Sequence, residues 1–592
     1  MVQRNAIEAA RLRHLNTREK GHARLAQPFR SLATVPALPL RYRPMAAGSL
    51  WRLVLSGLSG LLYPLCFPDF DFGFLAWIVL VPLHLAIDRL PPRRAFGVAW
   101  VGGVIAFIGT MSWVVTAMHL YGKMPLVAAY AVMLLLTAYL GAYVAVYASA
   151  FVRLHARRPV VAFLVAPALW VALEWVRTHL LSGLPWSLLG YSQYRWLPAI
   201  QIADVTGVYG VSFVVALANA AVAEVFLWQR GRQKAGDTER TGPTFPWLTP
   251  SAALVCVAAT LIYGYSVLTA SPEPAPPRSL TIGLVQPNVD QAQKWDTAFR
   301  RETMDRYARM TNTAAAGADL VIWPEAATPF LFEREPDYRE EIVRLVQAKA
   351  VPLLFGSPTV RFYPDGRPFL LNSAYLLSRS GEVLGRYDKR HLVPFGEYIP
   401  LRPILFFLEK LVVGIGDFEA GTGPVLLTLP RTADTAAGPR PLHFGVVICY
   451  EVIFPDLVRM FAGAGADLMV TITNDAWFGQ SAAPFQHFGM VVLRAVENRV
   501  SFARAANTGV SGFIDPYGRI LEATPIFEEM VVRGALPVGR MATFYTRHGD
   551  VFALGCVIIS GIFTAANWRR RPPARGEGKS PLASSRGDYH AG

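Results

Sequence analysis

The run VVICYEVIFPD, residues 446–456, decides how the chain is to be read. Val446, Val447 and Ile448 form a short β-branched stretch of the kind that makes a buried strand; it ends in Cys449, followed by Tyr450, Glu451 and a turn at Pro455. A thiol at the end of a strand is rigidly held while it faces a cleft, which suits a nucleophile. A cysteine in such a place is more often a small buried hydrophobe, so its company has to decide.

Upstream, DLVIWPEAATP (319–329) has the same design, an apolar strand running into Glu325 at its C-terminal end, where α/β sheets gather their reacting groups. Trp323 and Pro324 flank that carboxylate, and desolvation there would raise its pKa toward that of a general base. YDKRHLVPFGEYIP (387–400) holds Lys389 in a segment too rich in Pro, Gly and aromatic residues to be a solvated helix face, with Glu397 placed to orient it and His391 as a competing base. A lysine in such company suits a developing oxyanion. Across 278–540 short apolar strands such as SLTIGLVQPNV, VPLLFGSPT, LNSAYLLS, ADLMVTITND, SFARAAN and GVSGFIDP alternate with helical stretches expected at 297–316, 338–349 and 484–499. This predicts a layered α/β domain.

Further outward the composition changes. The 592-residue chain is 53% hydrophobic and 17% charged, too apolar for an ordinary soluble enzyme. Apolar runs able to cross a bilayer lie near 72–88, 95–117, 125–152, 159–176, 205–228 and 251–270, with a Gly-rich one at 50–66 and a last at 551–567. Eight transmembrane helices therefore frame one inserted domain: a basic tail (1–45), a seven-span region (46–272), the α/β domain (273–548) entered through the Pro-rich SPEPAPP (271–277), an eighth span (549–568) and a second basic tail (569–592). Residues 1–45 hold nine Lys and Arg against two Asp and Glu, and the two tails carry most of the net charge of +15. With the basic loops RLPPRR (89–94), RLHARR (153–158) and WQRGRQKAGDTER (228–240) they place both ends inside and the α/β domain outside. Nucleic acid is the weaker explanation of the charge. The first 45 residues lack the form of a cleavable signal peptide; Met45 is an alternative start, and what precedes it is expected to be dispensable. Cys66, Cys256, Cys449 and Cys556 lie far apart and make no disulfide or metal framework. No phosphate loop, dinucleotide fingerprint or zinc spacing occurs, so no cofactor and no metal are expected. Glu174 and Arg177, three residues apart inside a span, are expected to pair with each other.

A Glu in WPE, a Lys in DKRHLVPFGE and a Cys in CYE, in that order, resemble the Glu–Lys–Cys triad of the nitrilase, or carbon–nitrogen hydrolase, superfamily; TNDAWFG (473–479), RAVENR (494–499) and IDPYGRI (514–520) fit the same pattern. The fold this implies is an α-β-β-α sandwich. Soluble nitrilases lack the membrane frame. GFLAWIVLVPL (73–83), SGLPWSLLGYSQ (182–193), GVYGVSF (207–213) and RHGD (547–550) are similar to signatures of the apolipoprotein N-acyltransferases. That resemblance implies a bacterial inner-membrane, multi-pass enzyme with its catalytic domain in the periplasm. Its acyl donor is a membrane phospholipid and its acceptor a diacylated apolipoprotein. Separately, a monomer without a cofactor is expected. The resemblance assigns catalysis to Glu325, Lys389 and Cys449, and substrate-binding or supporting roles to Glu397, Tyr450, Glu451 and Trp295, the last in QPNVDQAQKW (286–295), a loop near the active site. Three competing expectations are a membrane-anchored amidase that admits water to the same triad, a non-catalytic scaffold, and a Cys–His hydrolase using His391, His443 or His487. The segment 401–424, rich in Phe, Leu and Gly, has the composition of a membrane-facing lid.

Overall fold

The computed structural model describes residues 47–235, 244–270, 278–399, 418–430 and 440–568. The two basic tails, the 271–277 linker and most of the 401–424 segment lie outside them.

Five helices are long and apolar enough to cross a membrane: α2 (Pro92–Met111), α3 (Leu126–His155), α4 (Pro159–His179), α5 (Val208–Ala235) and α6 (Leu248–Ala270). Shorter apolar helices occur at α1 (Ala47–Leu65) and at α11 (Val551–Trp568), near the C-terminus. The run at 72–88 is not one helix: a 3-10 turn, Gly73–Trp77, precedes a short helix, Val81–Ile87, with Pro82 at its start. The expected Glu174–Arg177 pair does not form. Glu174 Oε1 instead accepts from Trp170 Nε1 at 3.0 Å and from the Leu189 main-chain N at 2.7 Å, while the Arg177 guanidinium lies over the Phe107 ring, 5.0 Å from its centre. Both donors go to one carboxylate oxygen, and Glu174 Oε2 and Arg177 Nη1 are buried without a hydrogen-bond partner among the described residues.

The α/β domain is built on two six-stranded sheets. In chain order its strands are β1 (Ser279–Gln286), β2 (Leu320–Ile322), β3 (Leu353–Phe362), β4 (Pro368–Leu377), β5 (Val383–Asp388), β6 (Leu427–Leu429), β7 (Leu442–Ile448), β8 (Leu468–Thr473), β9 (Phe502–Ala506), β10 (Gly512–Ile514), β11 (Ile520–Ala523) and β12 (Met530–Pro537). The spatial orders are β12-β1-β2-β3-β4-β5 and β11-β10-β9-β8-β7-β6. In the first, β1, β2 and β3 run parallel; in the second, β7, β8 and β9 do.

Side-chain alternation assigns the faces. Leu320 and Ile322, Leu354, and Ala374 and Leu376 join the core shared with Val446, Ile448, Leu468 and Val470 of the second sheet. Their neighbours Val321, Leu353, Phe355, Tyr375 and Leu377 turn the other way, onto Met304, Tyr307 and Met310 of α7 (Arg300–Ala314) and Ile342 and Val346 of α8 (Pro336–Lys349). This is the expected sandwich with its outer helical layer.

On the second sheet the layer contains α9 (Pro455–Ala464) and α10 (Ala483–Asn498). Almost every residue of α10 is buried, polar ones included, because the membrane-type helices cover its far side. Gln486 Oε1 accepts from Trp186 Nε1 at 2.6 Å, Arg494 Nη2 donates to Tyr191 Oη at 3.0 Å, Glu497 Oε1 accepts from Val208 N at 2.9 Å, and Arg499 Nη2 donates to Asp204 Oδ2 at 2.8 Å. These contacts account for RAVENR, GLPW and GVYG as two halves of one polar seam. Asp550 of RHGD ties the start of α11 to α4, accepting from Trp175 Nε1 at 2.9 Å.

Candidate active site

Glu325, Lys389 and Cys449 follow the C-terminal ends of β2, β5 and β7, so strand direction in both sheets delivers them to one edge of the sandwich. Glu325 can lie flat against β3 because position 356 is glycine; a Cβ there would stand 2.7 Å from the Glu325 Cα and 2.5 Å from the Ala326 N. Cys449 has a φ of +53°, a left-handed turn that breaks the strand direction at the sulfur-bearing residue.

The charged groups form one network. Lys389, 1% exposed, places Nζ 2.9 Å from Glu397 Oε1 and 3.4 Å from Glu325 Oε1. Asn372 Nδ2 donates to the same two carboxylates, at 2.7 Å to Glu325 Oε1 and 3.0 Å to Glu397 Oε1. The other Glu325 oxygen accepts from the Asn474 main-chain N at 2.9 Å. Burial would strip Lys389 of its charge, but Glu397 and then Glu325 reverse that and hold its pKa above the ordinary lysine range. Burial, reinforced by the Glu325 charge, pushes the Cys449 thiol up, and Lys389 pulls against it. Cys449 therefore rests as a protonated thiol among charged neighbours.

Glu451 is wholly buried and faces no cleft. Its Oε1 accepts from Tyr387 Oη at 2.8 Å, Arg390 N at 2.7 Å and His391 N at 3.1 Å, and its Oε2 from Ile448 N at 2.7 Å. One carboxylate thus pins the main chain just after Lys389 to the main chain just before Cys449. Tyr450 turns toward the membrane part, donating to Gly183 O at 3.2 Å. Trp295 is 49% exposed at the end of its loop.

None of the three histidines is arranged as a base for Cys449. His487 Nε2 meets the Cys449 carbonyl oxygen at 3.2 Å rather than its sulfur, and Nδ1 sits between Asp475 and Arg504; burial, then Arg504, lower its pKa. His391 stacks on Phe454 with ring centres 3.7 Å apart, and burial brings it down to about 4. His443 lies at the opposite end of β7, 3.1 Å from Thr428 Oγ1.

Sequence reasoning missed Asn372, Asn474 and Lys294. Asn474 stands inside TNDAWFG, which was legible as a motif but not as a partner of Glu325. Lys294 adjoins Trp295 in a loop that reads as polar, and nothing in QAQKW signals a lysine 3% exposed.

Residues 281–545 match the carbon-nitrogen hydrolase family, and residues 59–221 match the family described as the apolipoprotein N-acyltransferase N-terminal domain. The molecule is thus a carbon–nitrogen hydrolase sandwich joined to a membrane-type helical frame. An apolipoprotein N-acyltransferase of Geobacter metallireducens is 43% identical over 521 residues, covering 88% of this chain and 95% of that protein. Another, of Chlorobaculum tepidum, is 32% identical over 550 residues, covering 87% and 97%. An amidase from Nesterenkonia sp. of known structure aligns at 22% identity with a TM-score of 0.32, covering 45% of this chain and 94% of that one. The chain belongs to the apolipoprotein N-acyltransferase family, and it is an enzyme.

Proposed function

We propose that the protein moves an acyl chain from a membrane phospholipid, through a thioester on Cys449, to the α-amino group of the diacylglyceryl-cysteine that begins a lipoprotein. The observation that carries this is the buried Glu325–Lys389–Cys449 network at the edge of a sandwich whose flank is seated on apolar helices. Both substrates are lipid-anchored, and drawing an acyl chain into water costs roughly 0.8 kcal/mol per CH₂. A reaction centre resting on the bilayer avoids that cost.

In this reading Glu325 takes the Cys449 proton as sulfur attacks the ester carbonyl. Lys389, with a main-chain N–H near Cys449, stabilises the oxyanion, a contribution of about 10²–10³ in rate. Glu325 then protonates the departing lysophospholipid oxygen. The lipoprotein amine attacks the thioester, gives its proton to Glu325 and releases the thiol, so the kinetics are ping-pong. Glu397 orients Lys389, Glu451 aligns Lys389 with Cys449, and Trp295 contributes to the substrate loop. An open cleft lined by Ser182, Arg390, His391 and Tyr398 supports lipid entry between the helical part and the Lys389 segment.

The proposed topology has eight crossings, with the shorter helices α1 and α11 and the interrupted 72–88 run completing the set, and with domain limits at 45, 272, 548 and 568. Both tails lie in the cytoplasm and the catalytic domain in the periplasm of a bacterial inner membrane. The enzyme works as a monomer. The test is intact-mass analysis after incubation with phospholipid, comparing wild type with Cys449→Ser. A hydroxylamine-labile fatty-acyl adduct on wild type alone, discharged by a diacylated lipopeptide, is the expected result. No adduct and no lysophospholipid would turn the assignment to an amidase acting on a small substrate.

A further inference from the structure

The peptide that follows the thiol is gripped by a buried histidine. His487, on α10 and 1% exposed, places Nε2 3.2 Å from the Cys449 carbonyl oxygen. A carbonyl oxygen only accepts, so Nε2 carries the proton between them. Asp475 Oδ1 and Arg504 Nη2 each lie 3.1 Å from Nδ1. Burial and then the Arg504 charge lower the pKa of the ring, so in its neutral form Nδ1 accepts from Arg504. The far side of this chain is tied into the second sheet. Arg504, in β9, donates through Nη2 to Asp475 Oδ2 at 2.7 Å and through Nε to Val510 O at 3.0 Å. Thr473, at the end of β8, donates to Asp475 Oδ1 at 2.7 Å.

What His487 holds is the turn that carries the nucleophile. Cys449 has a φ of +53° without being glycine, a conformation that persists only where its surroundings fix it. The Cys449–Tyr450 peptide is planar and trans, so fixing its C=O also fixes its N–H, which points the opposite way. That Tyr450 N–H has no acceptor among the described residues. A main-chain N–H directly after the nucleophile and free of any acceptor is placed to receive a developing oxyanion. The same segment serves the general base, since Asn474, next to Asp475, donates its main-chain N–H to Glu325 Oε2 at 2.9 Å.

We propose that His487 is a positioning residue of the acylation step: its Nε2–H sets the plane of the Cys449–Tyr450 peptide and so aims the Tyr450 N–H at the oxyanion. This rests on the assignment of Cys449 as nucleophile. The thiol proton passes to Glu325, the S–C bond forms, and the carbonyl π pair moves to the oxygen that faces Lys389 and the Tyr450 N–H. The ester C–O bond then breaks as Glu325 returns its proton to the leaving oxygen. His487 keeps its proton throughout.

The experiment uses the full chain in detergent and two reagents for Cys449, each followed by intact mass with Cys449→Ser as the blank. Acylation by p-nitrophenyl butyrate passes through an oxyanion; alkylation by iodoacetamide, a displacement at saturated carbon, does not. His487→Gln offers an N–H at similar reach, and His487→Met matches the length without a donor. In His487→Met we expect acylation at saturating ester to slow about 10²-fold, with the half-saturating concentration unchanged and alkylation close to wild type. His487→Gln should recover most of the acylation rate. A merely structural histidine would move both reactions together. Wild-type acylation in His487→Met, parallel loss of both reactions, or a Gln variant as slow as the Met variant overturns the proposal. Where the Met variant does not fold, His487→Asn, whose amide stops short of the Cys449 carbonyl, takes its place. The same rates are read with phospholipid as donor, which separates the outcomes: a wild type acylated by the nitrophenyl ester but not by phospholipid defeats the lipid-donor assignment and leaves the His487 comparison intact.

Discussion

Replacing Glu451 isolates the alignment of the site from its chemistry, because this carboxylate reaches no cleft. Four donors converge on it, three of them main-chain N–H groups that have nowhere else to turn. In Glu451→Gln the amide oxygen can keep the Tyr387, Arg390 and His391 donors, but the amide NH₂ then confronts Ile448 N. One buried donor pair is left unsatisfied, at about 1–3 kcal/mol. Glu451→Ala strands all four and costs several times more, on the order of the whole stability of a domain. For Gln the apparent melting temperature falls by a few degrees, taking about 2–4 °C per kcal/mol for a domain of this size. The functional loss is larger in proportion, since a shift of order 1 Å between Lys389 and Cys449 costs about 10² in rate. The assay is the initial rate of acyl-adduct formation by intact mass, beside the melting curve. A Gln variant that matches wild type in both would show that Glu451 does not set the register of the two segments.

Other substitutions test separate links. Single alanine replacements of His391 and His443 should leave the adduct rate within a few-fold of wild type, and a hundredfold loss at either would restore a Cys–His mechanism. Arg494→Met leaves Glu497 buried without its cation, a loss of about 3–5 kcal/mol; adding Glu497→Leu should recover part of the melting temperature, and a double variant no more stable than the single would deny the pairing. Burial lifts the Glu497 carboxyl to about 7 despite Arg494, so between the ordinary carboxylate range and about pH 7 the folded protein holds a proton that the unfolded chain has lost. Stability from this group therefore falls as pH rises through that window, and Glu497→Gln should flatten the wild-type profile there, as denaturation at pH 5 and pH 7 would show.

The parts of the fold legible in the sequence were those buried on both faces. β2, β3, β7 and β8 are nearly continuous apolar runs because one face meets the other sheet and the other meets helices. Ile520–Ala523 is exposed along its length, Val383–Asp388 carries Gly, Arg and Asp, and Leu427–Leu429 is three residues long; none leaves a hydrophobic period to read. Glu325, Lys389 and Cys449 were legible as a candidate site because each follows such a strand or sits in a segment unsuited to solvent. Lys294 was not, since burial of a loop lysine depends on clamps supplied by Asn507 and Asn474, more than a hundred residues away in sequence. Glu174 shows the converse: its i,i+3 neighbour suggested a pair, whereas in the fold one carboxylate oxygen accepts from a main-chain N–H of another segment and Arg177 lies over Phe107.

The seam along α10 explains why the helical frame and the sandwich belong to one chain. A helix that covers a sheet ordinarily keeps a wet outer face, yet here Gln486, Arg494 and Glu497 are buried on that side, where each makes a hydrogen bond to the frame, to Trp186, Tyr191 and the Val208 N–H. Without the frame these groups would face water and the apolar surface between them would be bare, so the sandwich is not an independent enzyme tethered by a flexible stalk. The same helix carries His487, whose Nε2 lies on the Cys449 carbonyl, and Tyr450 next to the thiol binds Gly183 of the frame. Through both contacts Cys449 is registered against the helical frame, so displacement of the frame should reach Cys449 through one hydrogen bond on either side.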